Sequence, residues 1–350
     1  MTYNLQCPVI GYKDTDVVTM AHGSGGENMQ RLIKEMFAKA FPYLQSDNDA
    51  ALFRISHPTD LAITTDSFVV DPIIFPGGNI GSLSVHGTIN DLAMMGAMPL
   101  YMTVAFILEE GLPMRKLKTL VLLLARAAKK AGIKILTGDT KVVQKGKGDG
   151  IYINTTGVGT IYCLSGYAPN AKKVCVGCKV IVSGDIGRHG MAIMSVREGL
   201  ELEPPIHSDS APLHLMVKSL YDRDILPRCM RDATRGGVGV VLNEIARSAK
   251  VHIRIDEEKV PVNENVRGLA EILGLDLLNM ANEGRFVLFV NKWEAEKVVK
   301  ILRQFEGGEQ ATIIGEVIAE HEHGLVTAKT LLGSEKIIHM PAGELLPRIC

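Results

Sequence analysis

The chain has 350 residues, of which 46% are hydrophobic and 22% are charged, a balance typical of a folded globular protein. At this length two domains are expected. The formal net charge is −1, so no basic field indicates binding to nucleic acid. No apolar run approaches the ~18 residues of a membrane span, and the first twenty residues lack the apolar core of a signal peptide.

Six cysteines are too few for a disulfide scaffold in a chain of this length, so we expect a reducing, cytoplasmic location. Cys175 and Cys178 form a C-x-x-C pair. A closed zinc site needs four ligands, and the sequence has no second C-x-x-C to supply them. We interpret the pair as incidental, with a metal or redox role as the alternative.

The first predicted helix follows the stretch His-Gly-Ser-Gly-Gly at 22–26. Ser24 and Glu27 have the spacing of a capping box, so the helix is expected to start at the glycines. One buried stripe is expected to contain the apolar residues Met29, Leu32, Ile33, Met36, Phe37 and Ala40.

The remainder of the first half alternates between the periods of strands and helices. Strands are predicted at 61–70, 100–108, 133–138 and 151–161, and helices at 80–95 and 114–132. The cationic last turn of the second helix and Gly132 after it are typical of a helix C-terminus.

The pattern lapses between 163 and 178 into small and polar residues, and we place the domain boundary there. In the second half, strands are predicted at 179–184, 251–255, 285–290 and 311–318, and helices at 190–198, 211–221, 238–250, 264–273 and 293–305. Both halves are therefore expected to be α/β or α+β domains of similar size.

Five aspartates stand at predicted strand ends or in turns rich in small and polar residues: Asp66, Asp91, Asp139, Asp185 and Asp232. A single aspartate of this kind is usually a turn or helix-cap residue. Several that converge would instead supply the carboxylates that Mg²⁺ needs, with substrate phosphates completing its coordination.

Two glycine-rich stretches, at 22–28 and 231–239, lead into predicted helices. Free N–H groups at a helix start favour anions, and Arg231 and Arg235 in the second stretch suit phosphate. Neither stretch is a P-loop, and neither is a convincing dinucleotide fingerprint. Nucleotide-phosphate binding and a purely structural role are both open at this point.

Three single residues have suggestive positions. Lys141 follows Gly-Asp-Thr at a strand end, and Glu283 lies between Asn and Gly before a strand. A lone Lys or Glu is usually solvated surface. The chain ends with Cys350, which is not a prenylation box, and position alone favours a frayed terminus.

Eight motifs resemble, in order, those of the HypE family, the hydrogenase maturation factors that make the cyanide ligands of nickel–iron hydrogenases. They are AHGSGG (21–26), FPGGNIG (75–81), GTINDLA (87–93), TGDTKVV (137–143), SGDIGRHG (183–190), RDATRGG (231–237), ANEG (281–284) and PRIC (347–350). The resemblance runs from about residue 20 to the end, and the terminal cysteine is its most specific element. The family is similar overall to aminoimidazole ribonucleotide synthetase and selenophosphate synthetase.

The resemblance implies a two-domain α/β (α+β) fold of the aminoimidazole ribonucleotide synthetase type. Residues 1–20 would form an N-terminal extension, 21–165 an ATP-binding and dimerisation domain, 166–340 a C-terminal α/β domain, and 341–350 a flexible tail. The first domain would form a homodimer through its sheet, and ATP would lie across the cleft between the domains.

The resemblance also implies a site. Asp66, Asp91 and Asp232 would be the Mg²⁺ ligands. The phosphates of ATP would be covered by Gly23, Ser24, Gly25 and Gly26, and further nucleotide-binding residues would be Asn90, Asp139, Thr140, Asn154, Thr234 and Arg235.

The implied reaction gives Cys350 a role. The carbamoyltransferase HypF would load its thiol as a thiocarbamate, ATP would phosphorylate the amide oxygen, and loss of phosphate would leave a thiocyanate for the HypC–HypD scaffold complex. Glu283 would be the base or its relay, and Lys141 would orient the carbamoyl oxygen or stabilise the phosphoryl group. The alternatives are a small-molecule ATP-dependent synthetase of the same superfamily and a non-catalytic thiol carrier.

Overall fold

The computed structural model describes residues 12–13, 15–23, 27–43, 60–163, 167–330, 333–340, 346 and 348–350. Ser24, Gly25 and Gly26, three residues of the predicted phosphate cover, lie outside the described residues, as does most of the predicted N-terminal extension. In the described part of the chain, no helix is long and apolar enough to cross a membrane.

The first domain is a four-stranded sheet covered by helices. Its helices are α1 (Glu27–Leu32), α2 (Ala38–Ala40), α3 (Ile80–Met94) and α4 (Met114–Ala131), with a 3₁₀ turn at Met20–Gly23 and a π-helical turn at Ile33–Phe37. Its strands are β1 (Leu61–Phe68), β2 (Ile74–Phe75), β3 (Gly78–Asn79), β4 (Ala97–Glu109), β5 (Lys134–Val143) and β6 (Ile151–Ile161). The sheet has the order β1-β6-β4-β5, with β4 and β5 parallel and the other pairs antiparallel.

The core of this domain follows from two sequence periods. Leu117, Leu120, Val121 and Leu124 form one buried stripe of α4, as their helical spacing requires. Along β6 every second residue is buried, so the intervening residues, most of them polar, face the other side of the sheet. Gly132 ends α4 with a φ of 72°, which a glycine adopts without strain.

The second domain is a seven-stranded sheet with helices on both faces. Its helices are α5 (Arg188–Arg197), α6 (His214–Tyr221), α7 (Gly237–Ala249), α8 (Glu264–Leu273) and α9 (Ala295–Leu302). Its strands are β7 (Lys179–Val182), β8 (Cys229–Asp232), β9 (Val251–Asp256), β10 (Phe286–Val290), β11 (Thr312–Glu320), β12 (Leu325–Lys329) and β13 (Glu335–Ile337). The sheet has the order β13-β12-β9-β11-β7-β10-β8.

Strand β10 lies near one edge of this sheet but is buried on both faces. Val287 and Phe289 pack into a cluster that includes Leu242 of α7. Phe286 and Leu288, which point the opposite way, pack into a cluster formed by α6 and α9. An uninterrupted apolar run is what a strand covered on both faces needs.

The predicted helices and strands are confirmed, with ends shifted by a few residues, except that a π-helical turn interrupts the first helix and leaves Ile33 and Ala40 of its expected stripe half-buried. The pattern misses β2, β3, β8, β12 and β13, because each is five residues or shorter and carries little apolar alternation. The omission of β8 matters for function, since its last residue is Asp232.

Candidate active site

Three carboxylates approach one another where the two domains meet. Asp66 lies on β1 and Asp91 on α3, both in the first domain, whereas Asp232 ends β8 in the second. The Thr64 hydroxyl, on the same face of β1 as Asp66, donates a hydrogen bond of 2.7 Å to Asp91 Oδ2. The fold therefore brings together the three aspartates for which the resemblance implies a metal.

The electrostatics of these carboxylates suit a cation. Burial, and then the charge of Asp91, raises the pKa of Asp66. Burial and the charge of Asp91 raise the pKa of Asp232 to about 7. The described residues contain no group of three or more His, Cys, Asp or Glu side chains that alone could hold a metal ion. A hard cation here would therefore need further oxygen ligands, such as phosphate or water.

Asn90 joins the two domains beside these carboxylates. Its Nδ2 donates to the carbonyls of Ala211 and Glu283 at 3.1 and 3.2 Å, and its Oδ1 accepts from Leu213 N–H at 2.8 Å. Both amide N–H donors are thus used within the protein, which gives Asn90 a role in fixing the domains. Its implied nucleotide contact stays a prediction.

His86, one turn earlier on α3, makes a second polar link between the domains. Its Nδ1 lies 3.0 Å from Ser210 Oγ. Burial lowers the pKa of His86 to about 4, so the imidazole is neutral at neutral pH.

The loop that carries Glu283 is fixed by its neighbours. The N–H groups of Glu283 and Gly284 donate to the Asp209 carboxylate at 3.4 and 3.2 Å. Asn282 Nδ2 donates to the Ala233 carbonyl at 2.9 Å. A Cβ at position 284 would lie 1.9 Å from the Asp209 carbonyl oxygen, so only glycine allows this approach.

Glu283 and Cys350 meet in the cleft. The Glu283 side chain is 2% exposed, and burial, followed by repulsion from Asp232, raises its pKa well above the usual value. The Cys350 thiol lies close enough to the Glu283 carboxyl for the two groups to shift each other's pKa, and burial raises the pKa of the thiol well above its usual value. Glu283 Oε1 is buried and has no hydrogen-bond partner among the described residues. The terminal thiol therefore lies beside a carboxyl with a spare acceptor.

The end of the chain is held in the cleft by backbone pairing. Ile349 forms an antiparallel bridge with Val70, just after β1, and its side chain is buried. Two hydrogen bonds flank the bridge, from Val69 N–H to the Cys350 carbonyl (3.2 Å) and from Asp71 N–H to the Arg348 carbonyl (3.1 Å). This pairing sets the position of the thiol beside Glu283.

Comparison with known proteins identifies the family. The N-terminal domain of AIR synthase related protein matches residues 47–161, and the C-terminal domain of the same family matches residues 176–327. The carbamoyl dehydratase HypE of Azotobacter vinelandii is 46% identical over 335 residues, which are 95% of this chain and 97% of that protein. The chain belongs to the HypE family.

Solved structures of HypE proteins agree with this assignment. A crystal structure of hydrogenase maturation protein HypE in complex with ATP matches with a TM-score of 0.90 and 42% identity, covering 95% of this chain and 99% of that one. HypE in a crystal structure of a HypE–HypF complex matches with a TM-score of 0.76 and 45% identity, covering 89% and 99%. The family and the two-domain fold expected from the motifs are confirmed.

Three of the remaining site residues implied by the HypE resemblance lie on β5. Asp139 and Lys141 are exposed on β5, an edge strand of the first sheet, and Thr140 between them is buried. Among the described residues, Lys141 is not one of the charges that shift the pKa values of Glu283 and Cys350. The roles of these β5 residues stay predictions.

Asn154 and Arg235 lie closer to the carboxylates. Asn154 Nδ2 donates to the Asp66 carbonyl at 2.9 Å and lies 3.0 Å from Ser67 Oγ. The charge of Arg235 lowers the pKa values of Asp66 and Cys350, against the effect of burial. Thr234 is half-buried beside Arg235, and Gly23 ends the 3₁₀ turn.

Sequence reasoning missed two residues that shape this HypE site. Asp209, which holds the Glu283 loop, lies in a segment without periodic pattern, so no signal was available. Asn282 accepts a hydrogen bond of 2.7 Å from Gly187 N–H and so ties the loop to the start of α5. Asn282 could have been singled out from the sequence, because it lies inside the ANEG motif.

Proposed function

We propose that this chain catalyses the ATP-dependent dehydration of an S-carbamoyl group on its own Cys350 to a thiocyanate, the source of cyanide ligands for nickel–iron hydrogenase. The observation that carries the proposal is the position of the Cys350 thiol beside the buried Glu283 carboxyl, within reach of the charges of Asp66 and Asp232. A thiol held in this place is the substrate arm of its own enzyme. The proposal is supported by the carbamoyl dehydratase name of the relative from Azotobacter vinelandii.

The reaction balances as the removal of one water. The carbamoyl oxygen leaves as phosphate after taking the γ-phosphoryl group of ATP, both N–H protons are lost, and S–CO–NH₂ becomes S–C≡N. ATP thus supplies the phosphoryl group that converts a poor leaving group into a good one.

Glu283 is suited to remove the N–H protons. Its raised pKa makes it a stronger base than an exposed carboxylate, and a general base works best when its pKa lies near the working pH. Because Oε1 lacks a partner among the described residues, it is free to accept a hydrogen bond from the carbamoyl nitrogen. The Asp209 bonds to the Glu283 loop hold the carboxyl in place as this happens.

Asp66, Asp91 and Asp232 would hold Mg²⁺, which neutralises phosphate charge in reactions of this class. Burial of these carboxylates, together with the charge of Asp91 beside Asp66 and Asp232, is the reason that a cation fits here. Arg235 would pair with phosphate, and Asn154 would fix the backbone at Asp66. Lys141 would approach the carbamoyl or phosphoryl oxygens when ATP is bound. ATP binding is supported by the similarity to HypE in complex with ATP.

The proposed partners follow from the chemistry of the thiol. HypF would carbamoylate Cys350, as the similarity to a HypE–HypF complex suggests, and HypC–HypD would receive the cyanide.

A homodimer would cover the apolar side chains exposed on the first sheet, among them Ile63 at 73% and Ile107 at 41% exposure. A cytoplasmic location would keep the thiol reduced, consistent with five free cysteines among the described residues.

Intact-protein mass spectrometry tests the proposal. The chain is incubated with HypF, carbamoyl phosphate and Mg-ATP, and a carbamoyl group is expected on Cys350, followed by loss of one water that requires ATP hydrolysis by this chain. Cys350→Ser should show neither change. Asp91→Asn should accept the carbamoyl group but retain the water.

Two results would overturn the proposal. Carbamoylated protein that hydrolyses no ATP would be a carrier, and its site residues would be structural. ATP-driven turnover of a free small molecule by Cys350→Ser would identify a small-molecule synthetase.

A further inference from the structure

His189 contacts the end of the chain from the side opposite to β1. It lies in the first turn of α5, is fully buried, and its Nε2 is 2.7 Å from the Ile349 carbonyl oxygen. Its Nδ1 is 2.8 Å from Ser208 Oγ. The Phe75 ring packs edge-on against the imidazole, with centroids 5.3 Å apart. The imidazole therefore has a fixed position and one direct contact with the tail.

The partners of His189 determine where its proton lies. A carbonyl oxygen only accepts, so Nε2 must carry the hydrogen. Nδ1 then accepts from the Ser208 hydroxyl, which itself accepts from Ser210 N–H at 3.1 Å. Burial lowers the pKa of His189, in agreement with a neutral ring. The hydrogen-bond chain thus presents one oriented donor to the tail.

The Ile349 carbonyl depends on this donor. In an extended segment successive carbonyls point in opposite directions. The carbonyls of Arg348 and Cys350 accept from the backbone after β1, so the Ile349 carbonyl faces away from it, towards α5. Without the imidazole N–H this buried acceptor would lose its partner, and an unpaired buried acceptor favours the undocked tail.

We propose that His189 is a positioning residue that holds the last three residues in the cleft by donating to the Ile349 carbonyl, and so sets the fraction of chains in which Cys350 is docked beside Glu283. The hydrogen bond from His189 goes to a backbone carbonyl, so it does not depend on the group that the thiol carries. The effect of His189 on the dehydration rate rests on the proposed function, whereas its effect on docking of the tail does not.

Alkylation of Cys350 measures docking without ATP or partner proteins. The full chain is treated with iodoacetamide, and modification of the C-terminal peptide is followed by mass spectrometry, with exposed Cys175 as the internal reference. When docking is fast relative to alkylation, the Cys350 rate scales with the undocked fraction. His189→Phe keeps an aromatic ring against Phe75 but removes the donor.

We expect His189→Phe to raise the Cys350 rate, relative to Cys175, about five- to tenfold, the effect of losing one buried hydrogen bond. His189→Gln, whose amide can donate to the carbonyl, should restore most of the protection. Ser208→Ala keeps the imidazole but removes its orienting partner, and should raise the rate about two- to threefold. It serves as the second test if the Phe variant fails to fold.

Unchanged ratios in the folded variants would overturn the proposal, as would a Gln variant no better protected than the Phe variant. In carbamoylated protein, His189→Phe should slow dehydration by a similar factor at saturating Mg-ATP and leave the KM for ATP unchanged. If the wild-type protein dehydrates nothing, the proposed function fails, but the alkylation ratios still decide the role of His189.

Discussion

Two of the buried acids in the second domain have opposite surroundings. Asp185 is 3% exposed and Glu283 is 2% exposed. Asp185 is paired with Arg285 at 2.8 Å and also with Arg188. Burial raises the pKa of Glu283, and its charged neighbours Asp232, Asp209 and Asp66 raise it further. One acid is compensated by arginines and stabilises the fold, whereas the other is left uncompensated and is available for chemistry.

The largest expected effect is the loss of activity in Glu283→Gln. If Glu283 is the base, water loss from carbamoylated Cys350 should slow by about 10²–10⁴-fold, while carbamoylation by HypF continues. Single-turnover mass spectrometry measures both steps. A rate within about threefold of wild type would mean that the uncompensated acid is not the base.

Relative to wild type, Glu283→Gln should become more stable as the pH rises. Because the pKa of folded Glu283 is raised above that of the unfolded chain, its stability contribution is lost as pH rises above its ordinary value. Glu283→Gln does not ionise, so its stability should increase relative to wild type over this range. Urea unfolding at several pH values measures the difference.

Breaking the compensated pair should have the next largest effect. Arg285→Met leaves Asp185 with only the partly exposed Arg188 and should destabilise the protein by about 3–5 kcal/mol. Adding Asp185→Leu should recover part of this loss, since it removes the stranded charge. Equal unfolding free energies for the single and double variants would show that Asp185 needs no compensation.

The same comparison applies to His86, a buried base without an opposite charge beside it. Its pKa of about 4 in the folded protein is below the ordinary value, so stability is lost as pH falls from 6.5 through 4. The loss attributable to His86 should reach up to about 3 kcal/mol at the acid end. His86→Asn, which keeps a polar partner for Ser210, should have a shallower acid slope. Identical slopes would exclude the imidazole as the cause.

The smallest effect is expected at an exposed ion pair. Lys218 and Asp222 are 2.6 Å apart on the surface, about as close as Arg285 and Asp185. Lys218→Met should change the unfolding free energy by less than about 1 kcal/mol, because water screens the pair. A loss as large as that of Arg285→Met would mean that burial does not distinguish the two pairs.

The sequence predicts most of the fold, because its long helices and strands carry clear apolar periods. Helix α4 and strand β6 were predicted nearly to their ends. The short strand β8 was not predicted, since four residues carry too little pattern. It pairs with β10, which lies more than fifty residues further along the chain.

The site was predictable in part. Asp66, Asp91 and Asp232 were singled out by their turns and motifs, and the structure brings them together. Asp185 has the same local signature, Gly-Asp at a strand end, and only the fold reveals that Arg285 neutralises it. Contacts between residues a hundred positions apart leave no local trace, which is also why His189 and Asp209 could not be assigned.

The three hydrogen bonds of Asn90 have a kinetic consequence. Since they hold α3 against the segments at Ala211 and Glu283, they oppose rotation of one domain against the other during the proposed cycle of loading and dehydration. The moving part is then a short terminal segment, and such segments move in nanoseconds to microseconds, whereas domain hinges take microseconds to milliseconds. Movement of the thiol into and out of its position beside Glu283 should therefore not limit the proposed dehydration, and solvent viscosity should leave the dehydration rate unchanged.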